Sequence, residues 1–240
     1  RDRNRIAIQG DILGGAAMGV CNVLCLTGDG VQAGDHPQAK PVFDLDSTSL
    51  LGIARGLREE HRFESGRKIT FAPRVLLGAA ENPNVSPVEH RAVRLAKKIS
   101  AGAQFVQTQY CYDIPLLRRF MTAVEDAGLL EQVFILIGVG PLRTAKTGEW
   151  MRKNVPGIHI PDSVIERMKG AEDQTREGLN LCVDLIQEVR TIKGVSGVHV
   201  MAYRQEESVA EVIDRSGILA GRTPWFPGRD PQINEDRKLS

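Results

Sequence analysis

Apolar runs alternate with stretches of helical period along most of the chain, and the order of the two is regular. Residues 22–27 (NVLCLT) have the continuous apolar character of a buried parallel strand and stop at Gly28-Asp29. Residues 47–60 follow with helical spacing, placing Leu50, Ile53, Ala54 and Leu57 on one face. Residues 69–80 contain the next strand, which ends near Glu81-Asn82-Pro83. Ser86-Pro87-Val88-Glu89 predicts a helix start, with Ser86 as N-cap, Pro87 at the first helical position and Glu89 closing a capping box. That helix runs to about Ala101, with Gly102 as its stop. A strand is predicted over 105–112 and a helix over 114–124. Another strand covers 133–139 and is followed by a loop at Gly140-Pro141. Residues 175–192 read as a helix with Leu179, Cys182, Ile186 and Val189 aligned. The last strand is 198–203, and residues 209–213 lie in the last helix.

Five strands, each followed by a helix, predict parallel βαβ units. Residues 1–18 read as a loop and then a helix, with no strand before them. An open sheet of five would expose strand edges and half a core. The count therefore predicts a (β/α)8 TIM barrel, N-terminally incomplete, with about strands 4 to 8 present. Residues 1–218 form this barrel domain. Residues 219–240, rich in Pro, Gly and charge, are expected to be an irregular tail.

Composition narrows the function classes. With 31 Lys+Arg against 30 Asp+Glu the formal net charge is +1, so neither nucleic-acid nor membrane-surface binding is expected. No apolar run reaches the length of a transmembrane helix, and a cytoplasmic protein is expected. Cys21, Cys25, Cys111 and Cys182 form no CxxC and are read as reduced thiols. The histidines have no metal-ligand spacing.

In α/β folds of this kind the site lies at the carboxyl ends of the strands. Three features stand there. Thr27-Gly28-Asp29-Gly30 lets backbone approach a ligand, with Asp29 at the barrel mouth; the competing reading is a turn with a helix-capping aspartate. Gln107 and Gln109 share one strand face. Gln109 is placed to bond a polar heterocycle, or it is satisfied by neighbouring backbone. On the helix after Ser86, Arg91, Arg94 and Lys98 form one stripe with Lys97 beside them. Such like charges repel, and a bound phosphate would relieve the conflict; the alternative is a solvated basic face. Gly28-x-Gly30 has no third glycine and is no dinucleotide fingerprint. Tyr110 and Tyr112 read as packing residues, and Trp150 and Trp225 carry no assigned role.

Together, NVLCLTGD (22–29), GDHPQAKPVFDLDS (34–47), KKISAGAQFVQTQYCYD (97–113) and GVHVMAY (197–203) resemble the methylenetetrahydrofolate reductase family, with AGAQFVQTQ the most specific piece. The opening RDRNRIAIQGD is similar to the loop and helix after that family's third strand. The resemblance implies FAD at the barrel mouth, reduction of the flavin by NADH or NADPH, and hydride transfer to methylenetetrahydrofolate. It implies that Asp29 lies near the flavin and the pterin, and that Gln109 contacts pterin and nicotinamide in turn. Thr27 and Gly28 match flavin-contacting positions, although many relatives have arginine where Thr27 stands. Phe43 and Asp44 fall on a loop over the adenosine part, and Asn82 lies roughly where relatives carry a flavin-contacting histidine. Arg94, Lys97 and Lys98 match the diphosphate-binding helix, with Lys98 expected at a solvent- or ligand-facing position. Met201 and Gln205 stand where relatives have substrate-contacting tyrosine and arginine. The family's proton donor is a glutamate on the first barrel strand, so none of these residues takes that role. A homo-oligomer or a partner subunit is compatible with the sequence. So are a non-catalytic flavin- or pterin-binding subunit and an unrelated phosphate-binding barrel.

Overall fold

A computed structural model describes residues 2–222. The expected tail therefore lies almost wholly outside the described residues, as does Trp225. The core is a sheet of five strands, β1 (Asn22–Cys25), β2 (Leu76–Glu81), β3 (Phe105–Tyr110), β4 (Phe134–Val139) and β5 (Val195–Val200). They lie in sequence order and every neighbouring pair is parallel. Between and around them run α1 (Arg5–Ala17), α2 (Ser47–Glu59), α3 (Val88–Ala101), α4 (Ile114–Asp126), α5 (Ala145–Asn154), α6 (Asp162–Gly170), α7 (Gln174–Val189) and α8 (Val209–Ser216). Among the described residues β1 and β5 are free edges and the sheet does not close, so the fold is an incomplete arc of an α/β barrel.

The two-residue period of the strands sorts their faces. Cys25, Leu77, Ala79, Val106, Ile135 and Ile137 are buried against the helices. Leu24, Ala80, Gln107, Gln109, Leu136 and His199 alternate with them and are half-buried on the open face. The helices follow local chemistry. Asp46 and Ser49 close a capping box on α2, whose Leu50, Leu51, Ile53, Ala54 and Leu57 are buried. Asp113 caps α4 through the Leu116 N–H, with proline in the first turn.

The helix α3 starts differently from expectation. Pro87 is itself the cap residue and no side chain bonds the first turn, so the Ser86 cap and the Glu89 capping box do not form. With Pro87 at the cap, Ser86 lies one residue too far back to reach the free N–H groups. The first four strands are shorter than their apolar runs, which continue into irregular chain, and β5 starts at Val195, three residues before the expected 198, and ends at Val200 rather than 203. Residues 69–75 precede β2 as irregular chain, with the Ile69 N–H donating to the His61 carbonyl at 2.9 Å.

Two helices, α5 and α6, were not foreseen. α5 packs through Ala145 and Gly148, which give no hydrophobic period, and α6 is short, with only Val164, Ile165 and Met168 buried. The tightest helix contact is made by Gly178 on α7. A Cβ there would meet the Leu142 carbonyl oxygen at 1.7 Å. Exposed helical Gly→Ala usually gains about 1 kcal/mol; here the backbone of the loop after β4 is in the way. Gly178→Ala is expected instead to cost roughly 1–3 kcal/mol, read as a lower urea midpoint. A raised midpoint would show that the loop yields freely.

Candidate functional site

Asp29, Glu81, Gln109 and Pro141 follow or end successive parallel strands and so stand at one end of the sheet. A cleft of about 370 Å³ opens there, lined among others by Leu26, Gln107, Gln109, His199 and Met201 on the open face and by Glu81, Arg91, Arg94 and Lys98 at its rim.

Its geometry depends on an irregularity in β3. The pairing of β3 with β4 shifts register between Gln107 and Tyr110, a device that re-aims side chains. At the shift, the Gly138 N–H donates to Thr108 Oγ1 at 2.8 Å instead of to a ladder carbonyl. Gly138 is required, since a Cβ would lie 2.4 Å from the Thr108 carbonyl oxygen and 2.6 Å from that of Gln109. Tyr110 OH donates to the Met201 carbonyl at 2.9 Å and Tyr112 OH to the Gly140 carbonyl at 3.0 Å. The two stacked rings thus fasten the strand ends together, which is the packing role expected of them.

Gln109 is satisfied by neighbouring backbone on one side of its amide only. Its Oε1 accepts the Tyr110 N–H at 2.9 Å, while its Nε2 donates to no described residue and is left to the cleft. His199, which sequence reasoning passed over, sits on the same open face. Its Nδ1 is buried without a partner, and burial holds its pKa below the ordinary value. The only sequence signal for it is the two-residue spacing to Met201 in GVHVMAY.

The basic stripe divides. Arg91, Arg94 and Lys98 line the cleft, whereas Lys97 points away and is exposed. Lys98 is not solvent-facing. Its side chain is 9% exposed and Nζ lies 2.8 Å from Glu81 Oε2, itself 2% exposed; it also donates to the Ala80 carbonyl. Glu81 further accepts the Asn82 N–H at 3.0 Å. Arg91 Nη1 stands 3.9 Å from Glu81 Oε1, and Arg91 Nε is buried with no partner. The sequence offered only Glu89 as an offset, because the true counter-ion comes from a neighbouring strand.

Other expected contacts are spent inside the protein. Thr27 Oγ1 accepts the Ser47 N–H at 2.9 Å, at the start of α2. Asp44 is bound by Arg5, at 2.7 Å between side chains and 2.8 Å from the Arg5 N–H, which lowers its pKa to about 2. Asn82 lines the cleft, and its Nδ2 donates to the Gly157 carbonyl at 3.0 Å. Phe43 is exposed. Gly28 and Asp29 line a concavity of about 520 Å³ with Gly30, Val31 and His36, apart from the cleft that Gln109 lines. Asp29 caps no helix, and its carboxylate has no hydrogen-bond partner among the described residues. Three of the four thiols are buried, and burial raises Cys25 to about 11 and Cys111 and Cys182 to about 12, whereas Cys21 is exposed. No cluster that could hold a metal occurs among the described residues, nor any helix long and apolar enough to cross a membrane.

The fold and the cleft define a parallel α/β barrel-type protein with a cleft at the carboxyl ends of its strands. A solved protein from Clostridium thermocellum, which binds two copies of 5-methyl-5,6,7,8-tetrahydrofolic acid, has this fold, with a TM-score of 0.54 at 17% identity over 81% of this chain and 70% of that one. The family profile of methylenetetrahydrofolate reductase matches residues 1–217, and the chain belongs to that family. It is 25% identical to methylenetetrahydrofolate reductase 2 of Schizosaccharomyces pombe, over 85% of this chain and 32% of that protein. It is 24% identical to 5,10-methylenetetrahydrofolate reductase of Escherichia coli, over 60% of this chain and 50% of that protein. The chain thus matches between about a third and half the length of these relatives.

Two outcomes are expected from this geometry. Lys98→Met strands the Glu81 carboxylate in a buried position and should cost ~3–5 kcal/mol, whereas the pair Glu81→Leu with Lys98→Met should recover most of it. Urea denaturation at pH 7 measures both, and a single variant as stable as wild type would show that the ion pair is dispensable. His199 carries fewer protons folded than unfolded, so its contribution to stability is complete above its ordinary 6.5 and declines as pH falls below that value. His199→Gln should flatten the stability-against-pH curve in that window, and an unchanged curve would assign the slope to other groups.

Proposed function

We propose that this chain forms the flavin- and folate-binding part of an oxidoreductase that reduces 5,10-methylenetetrahydrofolate to 5-methyltetrahydrofolate, with NADH or NADPH as donor. One observation carries the reading: in a chain matched by the family over residues 1–217, amide and cationic side chains converge on one cleft at the strand ends. The clostridial protein's stated folate ligand supports a folate substrate.

The residues present fit a flavin nucleotide. The partnerless Arg91 Nε marks a place where an anion is wanted. The half-buried Gln107 and Gln109 suit the polar edge of a ring, and Leu24, Leu26 and Met201 supply apolar wall. Bound FAD supplies the hydride relay between the nicotinamide and the folate methylene carbon. The chain's own task is placement. Arg94 at the rim balances phosphate charge, with Lys98 held beside it by Glu81. Gln109 Nε2 orients the pterin or nicotinamide against the ring. Asp29 and Gly28 serve the neighbouring concavity, where an exposed carboxylate sets the local charge. The carboxylate that lines the cleft, Glu81, is engaged by Lys98 and takes no part as a proton donor in this reading.

A non-catalytic flavin- or pterin-binding subunit is the second reading. It is favoured by Gln205, whose amide turns to the Pro141 carbonyl at 3.4 Å where relatives place a substrate-contacting arginine. Purified protein reconstituted with FAD separates the two. The reductase is expected to bleach on anaerobic addition of NADH or NADPH and to recover colour on addition of methylenetetrahydrofolate. Gln109→Leu should slow both steps about tenfold, the worth of one hydrogen bond. Flavin binding without bleaching would favour the subunit, and protein that binds no flavin would remove both readings.

A further inference from the structure

Residues 155–160 connect α5 to α6, in chain that follows β4, yet they pack against the exits of β3 and β2. Their side chains alternate as in a strand: Ile158 and Ile160 are buried, while His159 between them is exposed. Three contacts tie the segment down. His159 pairs in parallel with Cys111, just past β3. His159 Nδ1 lies 3.0 Å from Asp113 Oδ2, and the other oxygen of that carboxylate caps α4. The Gly157 carbonyl accepts from two amides of the chain after β2, Asn82 Nδ2 at 3.0 Å and Asn84 Nδ2 at 3.2 Å.

The last of these contacts reaches the cleft. Asn82 lines it, and both ends of its amide are held, Nδ2 by Gly157 and Oδ1 by the Asn84 N–H at 3.0 Å. Asn84 also donates to the Tyr110 carbonyl at 2.8 Å, so one residue ties the β2 exit both to the end of β3 and to the segment. Turning the Asn84 nitrogen to two carbonyls leaves its Oδ1 buried without a partner. A side-chain amide has two donors and two acceptor positions. Asn82 uses one of each inside the protein and keeps one of each. Gly157 is fixed by the same crossing: its φ is +75°, and a Cβ there would collide with Asn82 Nδ2.

We infer that residues 155–160 form a strap that positions Asn82 in the cleft, with Gly157 as the positioning residue and His159 as the outer anchor. The donor and acceptor that Asn82 keeps suit a ligand edge carrying an acceptor beside a donor, as a lactam or a carboxamide does. Without the strap the Asn82 side chain is free to change rotamer, and the entropy of fixing it falls on ligand binding. The connection between β4 and α7, and not the β2 exit alone, therefore sets this contact. The binding role rests on the flavin reading above; the strap itself does not.

The test uses the whole chain, with FAD as the probe and amide hydrogen exchange as a readout that needs no ligand. Gly157→Ala is expected to weaken FAD about tenfold, the worth of one hydrogen bond, and to alter the visible absorbance of the bound flavin. Asn82→Ala should do the same. The double variant should bind no more weakly than Asn82→Ala alone, because the glycine acts through the asparagine. His159→Ala changes an exposed side chain and guards against a folding defect in the glycine variant; it should weaken FAD severalfold, again only while Asn82 is present. Without ligand, both strap variants should speed exchange in residues 81–87 and leave β4 and β5 as they are. Losses that add in the double variants overturn the inference, since they bypass Asn82. Wild-type FAD affinity in both strap variants overturns it too, and so does unchanged exchange. A wild-type chain that takes up no FAD removes the flavin reading, and the exchange result then decides the strap by itself.

Discussion

Parallel strands can be joined only by crossovers, and that constraint shapes everything else in this protein. Each strand must be followed by chain that returns to its start, so every strand ends at the same edge, and because the strands are added in sequence order right-handed crossovers put their helices on one face of the sheet. The buried face is then filled with Leu77, Ala79, Val106, Ile135 and Ile137, where only packing matters. The other face and the common edge collect the residues that packing would reject. Gln107, Gln109 and His199 are found there because an unbonded amide or imidazole against the helices would cost more than the fold can return.

That division explains how far the sequence could be read. The strand order, the parallel sense and the apolar faces of α2 and α7 follow from period and length, and Leu50, Leu57, Leu179 and Ile186 are buried as their spacing requires. The helices between β4 and α7 were illegible because α5 meets its neighbours through Ala145 and Gly148, whose burial leaves no apolar signature. Strand ends were overestimated where apolar residues such as Leu26 continue past the ladder into the cleft, half-exposed. Family resemblance supplied the expected site positions, at the carboxyl edge of the sheet.

What it could not supply was the set of internal partners. Thr27, Asp44 and Asn82 each occupy a position read as cofactor-facing, and each has an internal partner as well, at the first turn of α2, at Arg5 and at Gly157, with Asn82 also lining the cleft. Those partners lie tens of residues away in sequence, beyond any local pattern. The shift in β3 is equally hidden, since it needs Thr108, a glycine at 138 and the strand between them to be in place together. Such features exist only once the chain is folded, and they decide which amides and charges remain available.

The helix α3 shows why this matters for chemistry. Four basic residues in eight positions look like one electrostatic unit. In the folded protein they have three different environments: Lys97 in solvent, Lys98 buried on a carboxylate, Arg91 and Arg94 at the cleft. A charge that already has a short-range partner in a low-dielectric setting contributes little to a newcomer, because the field of the pair falls off as that of a dipole rather than of a point charge. Counting cations along a helix therefore overstates the pull on a ligand. The quantity that matters is the charge left unanswered at the surface of the cleft, and a strand packed beneath the helix, not the helix itself, sets it.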